Sequence, residues 1–281
     1  MNNKINQDVY TLLCHKDMPM AAITVPLIMR SLNPDQKFII CDDGSFDAGD
    51  IEKLSGISSS IRIITKQERD GYVLEIIGNR PNSLKYRKEF PLAFKLFDIP
   101  ILARQESSRF TYTDSDIIYV KNSKAYFNRQ LNTYLQTDAI KLSLKLQAGL
   151  LKYNWNIPLR FNSGYFSFDP VDYDADFLEY YLGLPDIRNI PWLIEQTAWA
   201  LLFGKAGESY SPNPNQFICR ENFDGPTDET LAIHLIAGLK NKYTEWAPQE
   251  NITTGIQPQF NLSRNITKWD WVVKSVKRVV G

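Results

Sequence analysis

The stretch RFTYTDSDIIYV, residues 109–120, holds two β-strand pieces on either side of an acidic turn. Both pieces are rich in aromatic and β-branched residues, and their apolar positions are nearly continuous. This pattern is typical of strands that are buried on both faces of a parallel sheet. Proteins with such sheets bind ligands beyond the carboxyl ends of the strands, so the acidic turn is the first place to look for a site.

Before this stretch, strand-like and helix-like segments alternate along the chain. Strands are predicted over residues 8–14, 37–41 and 61–65, and helices over residues 21–32, 47–54 and 91–102, the last with Pro91 at its first position. Alternation of this kind predicts an α/β fold with a Rossmann-like, mostly parallel mixed sheet flanked by helices.

The second half of the chain is less regular. The expectations are a strand over residues 159–168 with a turn at Asn162-Ser163-Gly164, helices over 173–182 and over 191–203 with Gly204 as C-terminal cap, and a strand over 216–220. Residues 231–242 fit either a helix or a short strand followed by a loop. Because no Gly/Ser linker divides the chain, we expect one domain over residues 1–262 and a basic segment over 263–281.

Composition excludes several classes. The 281 residues are 43% hydrophobic and 23% charged with a formal net charge of zero, which argues against disorder and against general nucleic-acid binding. The three cysteines form no C-x-x-C pair, and the N-terminus carries no apolar signal sequence. These observations lead us to expect a protein of a reducing, cytoplasmic compartment.

Asp114 and Asp116 are the strongest candidates for chemistry. Side chains at i and i+2 of an extended chain point to the same face, so these two carboxylates should lie together. Two like charges in that position repel unless a cation lies between them, and Mg²⁺ or Mn²⁺ prefers such oxygen ligands. The alternative is a solvated acidic turn that binds nothing.

Polar residues of two other segments could complete such a site. Asp42 and Asp43 precede a Gly-Ser pair after a predicted strand, where a carboxylate can accept hydrogen bonds from a nucleobase or a ribose; an ordinary Asp-Gly turn is the alternative. His234 could ligate a metal, and Lys240 could neutralise a diphosphate, although a histidine among apolar neighbours is more often a core residue.

Polar side chains also occur in apolar surroundings. Glu195 and Gln196 interrupt a helix that is otherwise almost wholly apolar, and a sugar or acceptor hydroxyl could be their partner. The alternative is that Glu195 only favours the helix N-terminal dipole. Asn162, Ser163 and Gly164 offer amide and hydroxyl groups that suit a neutral polyol.

The order of these features resembles that of the GT-A family of nucleotide-sugar glycosyltransferases. The resemblance implies a GT-A fold and transfer of a sugar from a nucleotide-diphosphate donor, with UDP donors expected, to a glycan, lipid-linked or other hydroxyl acceptor. It places Mn²⁺ or Mg²⁺ on Asp114, Asp116 and His234, and catalytic roles on Asp116, Glu195 and Gln196. The donor-binding set that it implies is Asp42, Asp43, Lys95, Asp114, Ser115, Asn162, Ser163, Gly164 and Lys240.

Two branches of the family are mixed in this chain. His234 and Lys240 match the glycogenin-like retaining branch, but Ala237 stands where that branch usually has glycine, and Asn241-Lys242 where it has Pro-Trp. The Asp-Asp-Gly-Ser turn resembles an inverting family instead. The retaining reading places Glu195 and Gln196 at the sugar, whereas the inverting reading makes Glu195 a general base.

Three other functions fit parts of the sequence. A haloacid-dehalogenase-type phosphatase also uses Asp-x-Asp, but it has Thr or Val at the position of Ile118. A sugar-nucleotide pyrophosphorylase needs a glycine-rich loop that residues 14–17 do not supply. The third alternative is a protein that binds a nucleotide sugar or a carbohydrate without catalysis.

The C-terminal segment, residues 263–281, is basic and rich in tryptophan and valine. Residues 264–281 hold five basic residues against one acid, a net charge of +4. A helix of this composition can lie in a membrane interface, which would make the protein peripherally membrane-associated. The alternative is a helix that docks on the domain.

Overall fold

The computed structural model describes residues 7–105, 109–121, 123–137, 153, 156–158, 160–184, 191–248, 256–263, 265–267, 269–270 and 273. The strands are β1 Asp8–Leu13, β2 Phe38–Asp42, β3 Ile61–Ile64, β4 Phe110–Thr113, β5 Ile117–Tyr119, β6 Thr133–Gln136, β7 Ile157–Pro158, β8 Phe161–Phe168, β9 Tyr210–Pro212, β10 Phe217–Ile218, β11 Ala232–His234, β12 Phe260–Leu262 and β13 Asn265–Ile266. The α-helices are α1 Met18–Arg30, α2 Ala48–Ser55, α3 Lys66–Ile77, α4 Pro81–Glu89, α5 Ala93–Gln105, α6 Ala175–Leu182, α7 Pro191–Ala206 and α8 Tyr243–Trp246. Short 3₁₀ helices include His15–Asp17 and Ala237–Lys242.

The central sheet has eight strands in the order β12-β9-β6-β8-β4-β1-β2-β3. Strands β1 to β4 pair in parallel, whereas β8 runs antiparallel to both β4 and β6. The chain moves outward from β1 to β3 and then returns to place β4 on the other side of β1. The strand order therefore reverses between β1 and β4, which is where open α/β sheets form their ligand crevice.

Helices and a smaller sheet cover both faces of the central sheet. Alternate residues of β1 enter different cores: Tyr10 packs with α5 and α7, and Val9 packs with α1 and with the three-stranded sheet β10-β11-β5. Because both faces are buried, the strands are apolar at nearly every position, as the sequence predicts. The α/β fold with a mostly parallel mixed sheet is confirmed.

Two local predictions were wrong. Asn162-Ser163-Gly164 is not a turn but lies within β8, because Asn162 pairs with Leu135 of β6 and the Gly164 carbonyl accepts from the Asp114 N–H after β4. Gly204 is not a helix cap: α7 continues to Ala206, and it is Gly207 that has the positive φ, +100°, expected after a helix end. For residues 231–242 the strand alternative is correct, since β11 is followed by the 3₁₀ helix Ala237–Lys242.

Most of the C-terminal segment lies outside the described residues, and its separation from residues 1–262 stays a prediction. The described part shows the start of a helix. The Thr267 backbone N–H donates to Asp270 Oδ2, and the Asp270 N–H donates to Thr267 Oγ1, a reciprocal pair that caps a helix N-terminus. Among the helices that are described, none is long and apolar enough to cross a bilayer.

Candidate active site

A cavity of about 270 Å³ opens where β1, β2 and β4 end. Its walls include Leu13 and Cys14 at the end of β1, Asp43 after β2, and Asp114 after β4. Lys95 of α5 and Lys240 of the 3₁₀ helix complete the polar wall, which also includes Tyr112, Ser115 and Asp116. The cavity thus lies at the point of strand reversal, as expected for an open α/β sheet.

Backbone hydrogen bonds hold the turn that contains Asp114 and Asp116 next to His234. The Asp114 N–H donates to the Gly164 carbonyl of β8 at 2.6 Å, and the Asp116 carbonyl accepts from Leu235 N–H at 2.9 Å. Antiparallel pairing of β5 with β11 sets His234 opposite Ile117, the residue after Asp116. Backbone hydrogen bonds therefore hold all three polar side chains at one place.

Asp114, Asp116 and His234 each direct one ligand atom toward a common point, and these atoms lie within 4.8 Å of one another. His234 Nε2 is 3.1 Å from Asp116 Oδ1 and 3.7 Å from Asp114 Oδ2. Asp116 Oδ1 is buried, and its contact with His234 lacks hydrogen-bond alignment. Two carboxylates and one imidazole nitrogen fit a divalent cation, and one carboxylate oxygen, Asp116 Oδ1, has no hydrogen bond from the described residues.

The charges of this group are mutually dependent. Burial alone would raise the pKa of Asp116, but His234 and Lys240 hold that pKa well below its usual range. Burial alone would lower the pKa of His234, but the Asp116 carboxylate raises it well above its usual value. Without a bound cation, these basic groups compensate the acidic pair.

Two lysines flank the acidic pair from opposite sides. Lys95 Nζ lies 3.0 Å from Asp114 Oδ1, and Lys240 Nζ lies 2.9 Å from Asp116 Oδ2. Lys95 is almost wholly buried, whereas the Lys240 side chain is 60% exposed. Tyr112 donates its hydroxyl to the same Asp114 oxygen at 2.5 Å, so that Oδ2 is the oxygen turned toward His234.

The backbone that carries Lys240 is unusual. Ala237 begins the 3₁₀ helix with φ +48°, a left-handed conformation that favours glycine. The alanine therefore adopts the geometry expected of glycine at this position, and Lys240 is still brought to Asp116.

Behind the cavity lies a second, inner set of polar groups. Lys95 Nζ donates to the Ser163 carbonyl at 3.2 Å, and Ser163 Oγ donates to Glu195 Oε2 at 2.8 Å. Burial raises the pKa of Glu195 to about 7, although Lys95 and Ser163 act in the opposite direction. Glu195 Oε1 and Gln196 Nε2 are buried and have no hydrogen-bond partner within the described part of the chain.

The other predicted residues divide into two groups. Asp43 and Ser115 line the cavity. Asp42 lies beside it, but its Oδ1 accepts from the N–H groups of Gly44, Ser45 and Phe46 at 2.7, 3.1 and 3.2 Å, so this oxygen closes the turn after β2.

The strand β8 supplies the remaining predicted group. Asn162 Oδ1 accepts from the Gly164 N–H at 2.8 Å, so the Asn162 side chain shapes the strand locally. A Cβ on Gly164 would lie 2.4 Å from His234 Cε1, which means that only glycine lets the imidazole occupy its place.

Sequence reasoning missed several residues that the structure brings to the site. Tyr112, Asp17 and Met20 line the cavity, and Cys219 Sγ lies 3.6 Å from His234 Nδ1. Tyr112 could have been found, because it stands two residues before Asp114 on the same strand face. Asp17, Met20 and Cys219 reach the site through the way the chain folds, which the local sequence does not predict.

No protein-family model and no curated protein matches the chain. Solved structures do match, with probability 1.00. The apo structure of the bifunctional glycosyltransferase WbbM aligns with a TM-score of 0.54 and 10% identity, covering 87% of this chain and 50% of its own. The galactosyltransferase LgtC, solved with donor and acceptor sugar analogues, gives 0.51 and 12%, covering 86% and 95%.

Mouse xyloside xylosyltransferase 1 in its apo form gives a TM-score of 0.51 and 8% identity, covering 82% of this chain and 97% of its own. This chain thus spans half of WbbM and nearly all of the other two. At such low identities the shared property is the fold. The chain has the fold of the GT-A glycosyltransferases.

Proposed function

We propose that this chain is a glycosyltransferase that moves a sugar from a nucleotide-diphosphate donor to a hydroxyl acceptor with the help of a divalent cation. The observation that carries the proposal is the convergence of Asp114, Asp116 and His234 on one point beside a cavity. The cavity lies at the reversal of strand order in a GT-A fold, where a donor nucleotide would bind. This fold also favours sugar transfer over the phosphatase alternative, and residues 14–17 lack the glycines that a pyrophosphorylase needs.

In this proposal Asp114, Asp116 and His234 hold Mn²⁺ or Mg²⁺. The cation would stabilise the negative charge that develops on the departing diphosphate. Tyr112 and Lys95 hold one oxygen of Asp114, which leaves the other oxygen toward the shared point. That arrangement orients the carboxylate before any ligand arrives, so little reorganisation is needed when charge develops.

Lys240 is placed to bind the diphosphate itself. Its side chain is 60% exposed, and its Nζ contacts Asp116 at the cavity wall. A flexible ammonium group in this position can turn toward phosphate oxygens once a cation compensates Asp116. An interaction that strengthens as the leaving group gains charge lowers the barrier rather than only improving binding.

In this proposal Glu195 and Gln196 bind the sugar. The support is that Glu195 Oε1 and Gln196 Nε2 are buried without a hydrogen-bond partner among the described residues, and such atoms indicate a polar ligand. Ser163 links Glu195 to Lys95 and so connects the sugar end to the diphosphate end. The anomeric configuration of the product, measured by NMR, decides between retention and inversion.

The donor in the proposal is a UDP-sugar, and the acceptor is a glycan, a lipid-linked saccharide or another hydroxyl compound.

We further propose that the C-terminal segment contacts a membrane surface from the cytoplasmic side. The support is that two apolar side chains of this segment, Trp269 and Val273, are 72% and 49% exposed.

Donor hydrolysis with Mn²⁺ over UDP-, GDP- and CDP-sugars tests the proposed activity. We expect turnover by the wild type and a loss on the order of 10²-fold or more in Asp114→Asn and Asp116→Asn, because each removes an electrostatic contact at the cation site. Asp224→Asn, at an exposed position away from the cavity, is the matched control and should keep full activity.

Wild-type rates in both site variants, or in excess EDTA, would contradict the cation-dependent mechanism. Thermal stabilisation by UDP and Mn²⁺ without turnover of any donor, even with acceptors present, would favour a non-catalytic binding protein.

A further inference from the structure

The imidazole of His234 is confined on two sides. Its backbone is pinned by the pairing of β11 with β5. The main chain of β8 lies against the ring, since a Cβ on Gly164 would be 2.4 Å from Cε1 and 2.7 Å from Nδ1. The ring therefore has little freedom to turn within its pocket.

The two ring nitrogens meet different partners. Nε2 faces the carboxylates, at 3.1 Å from Asp116 and 3.7 Å from Asp114. Nδ1 faces Cys219 Sγ at 3.6 Å. Cys219 follows β10, which pairs in parallel with β11, and it is 6% exposed, so the thiol is held beside the ring by the small sheet.

Ligation through Nε2 requires the lone pair on that nitrogen, which places the proton of a neutral imidazole on Nδ1. A buried N–H needs an acceptor, and metal-bound histidines generally donate their second N–H to one. Cys219 Sγ is the hydrogen-bonding atom that the described part of the chain offers to Nδ1. Sulfur is a weak acceptor, but at this distance it can hold the N–H and the ring plane.

We propose that Cys219 is a positioning residue for the cation site: its sulfur accepts the His234 Nδ1–H and so keeps Nε2 directed at Asp114 and Asp116. The inference rests on the proposed function, because it assumes a cation on these residues. Cys219 itself is not among the residues that line the cavity, so it acts through His234.

A thiol in a buried position can also serve only as a small apolar side chain. The two roles differ in one property. A positioning role needs an acceptor atom at this place, whereas a packing role needs only volume. Threonine and valine have nearly the same shape but differ in a hydroxyl, so Cys219→Thr and Cys219→Val separate the two roles.

The experiment measures Mn²⁺ affinity of the full chain by electron paramagnetic resonance of the free ion, with and without UDP. We expect Cys219→Val to weaken Mn²⁺ binding about 10-fold or more, and Cys219→Thr to stay within roughly 3-fold of the wild type, as for changes behind a metal ligand. Cys41→Ala, at a cysteine that is fully buried in β2, should bind as the wild type does.

Circular dichroism and thermal unfolding show whether each variant is folded, and Cys219→Ser with Cys219→Ala gives a smaller matched pair if the branched side chains prevent folding. If the variant with a hydroxyl and its partner without one bind Mn²⁺ equally well, the positioning role of Cys219 is overturned, whereas the cation site is not. A wild type that binds no Mn²⁺ in either condition would overturn the cation site and this inference with it.

Discussion

Lys95 is 3% exposed, and its charge is compensated from two directions. Asp114 lies 3.0 Å from its Nζ on the cavity side, and Ser163 connects it to Glu195 on the inner side. The negative charge of Asp114 adds to burial in raising the pKa of Glu195. Glu195 is the member whose charge is least compensated, since burial raises its pKa to about 7.

Glu195→Gln should make the stability of the protein less dependent on pH. The folded-state pKa of Glu195 lies above its ordinary value of 4.5, so the folded protein keeps a proton that the unfolded chain loses. Stability is therefore fully present at low pH and falls as pH rises between 4.5 and about 7. Urea unfolding at pH 5 and pH 8 should show that the wild type loses roughly 2–3 kcal/mol more than the variant over this range.

Glu75→Gln is the matched control, because Glu75 is exposed on α3. Its pH dependence should follow that of the wild type. Identical pH profiles for the wild type and Glu195→Gln would show that Glu195 does not carry a raised pKa in the folded protein.

The acidic pair could be predicted from sequence, but the partner that completes it could not be assigned from spacing. Asp114 and Asp116 are two residues apart at a strand end, which fixes their common face locally. His234 reaches them through the pairing of β11 with β5, a long-range register that no local pattern encodes. Its imidazole made it a candidate ligand, the family resemblance assigned it to the same metal as the acidic pair, and its position is a property of the fold.

Glycine has opposite roles in two helices of this protein. Gly204 lies in buried α7, where an added Cβ would be 2.8 Å from the Asn156 carbonyl oxygen beside β7. Gly71 is exposed on α3, where an added Cβ would meet no atom of the described residues within 4 Å. The first glycine allows a helix to approach a strand, and the second only weakens its helix.

The same substitution should therefore change stability in opposite directions. Gly204→Ala is expected to destabilise the protein by about 1–3 kcal/mol, because backbone must move to admit the methyl group. Gly71→Ala is expected to stabilise it by about 0.5–1 kcal/mol through helix propensity alone. Thermal unfolding of both variants checks the prediction, and a stabilising Gly204→Ala would show that α7 and β7 are not closely packed.

The predicted helices before the acidic turn were confirmed within a few residues, but α3 and α4 were missed. Each helix has an arginine at a buried position, Arg69 in α3 and Arg87 in α4, and α3 also exposes three large apolar side chains, so neither helix shows a distinct apolar face in the sequence. Both arginines bind the fully buried Asp98 of α5, at 3.0 and 2.8 Å. Apolar periodicity does not detect a helix that packs through charged side chains, because the residue that neutralises each charge lies elsewhere in the sequence.

At the scale of the whole molecule, the strand order explains why residues from distant parts of the chain share one cavity. The reversal between β1 and β4 leaves a crevice that α5 and the 3₁₀ helix Ala237–Lys242 close from two sides. The alternation of apolar segments predicted the parallel part of this sheet. A strand was predicted over residues 159–168, but not its antiparallel pairing with β4, which supplies the carbonyl that fixes Asp114.

The C-terminal segment adds a second surface to this molecule. Its helix begins at the Thr267–Asp270 cap. The apolar side chains of Trp269 and Val273 are exposed. In the proposed membrane contact, the net charge of +4 over residues 264–281 would attract anionic lipid headgroups, and apolar side chains such as Trp269 would insert among them. Both contributions are needed, because attraction alone is screened by salt.

Co-sedimentation with vesicles tests this surface. The full chain should bind vesicles that contain phosphatidylserine more strongly than neutral phosphatidylcholine vesicles, and a chain truncated after residue 263 should bind neither. Trp269→Glu should weaken binding severalfold, since it places a charge where an apolar ring would insert. Val171→Glu is the control, because Val171 is equally exposed, at 72%, but lies outside the segment. Equal partitioning of the full and truncated chains would remove the membrane role, and the exposed Trp269 would then have to be explained by another partner.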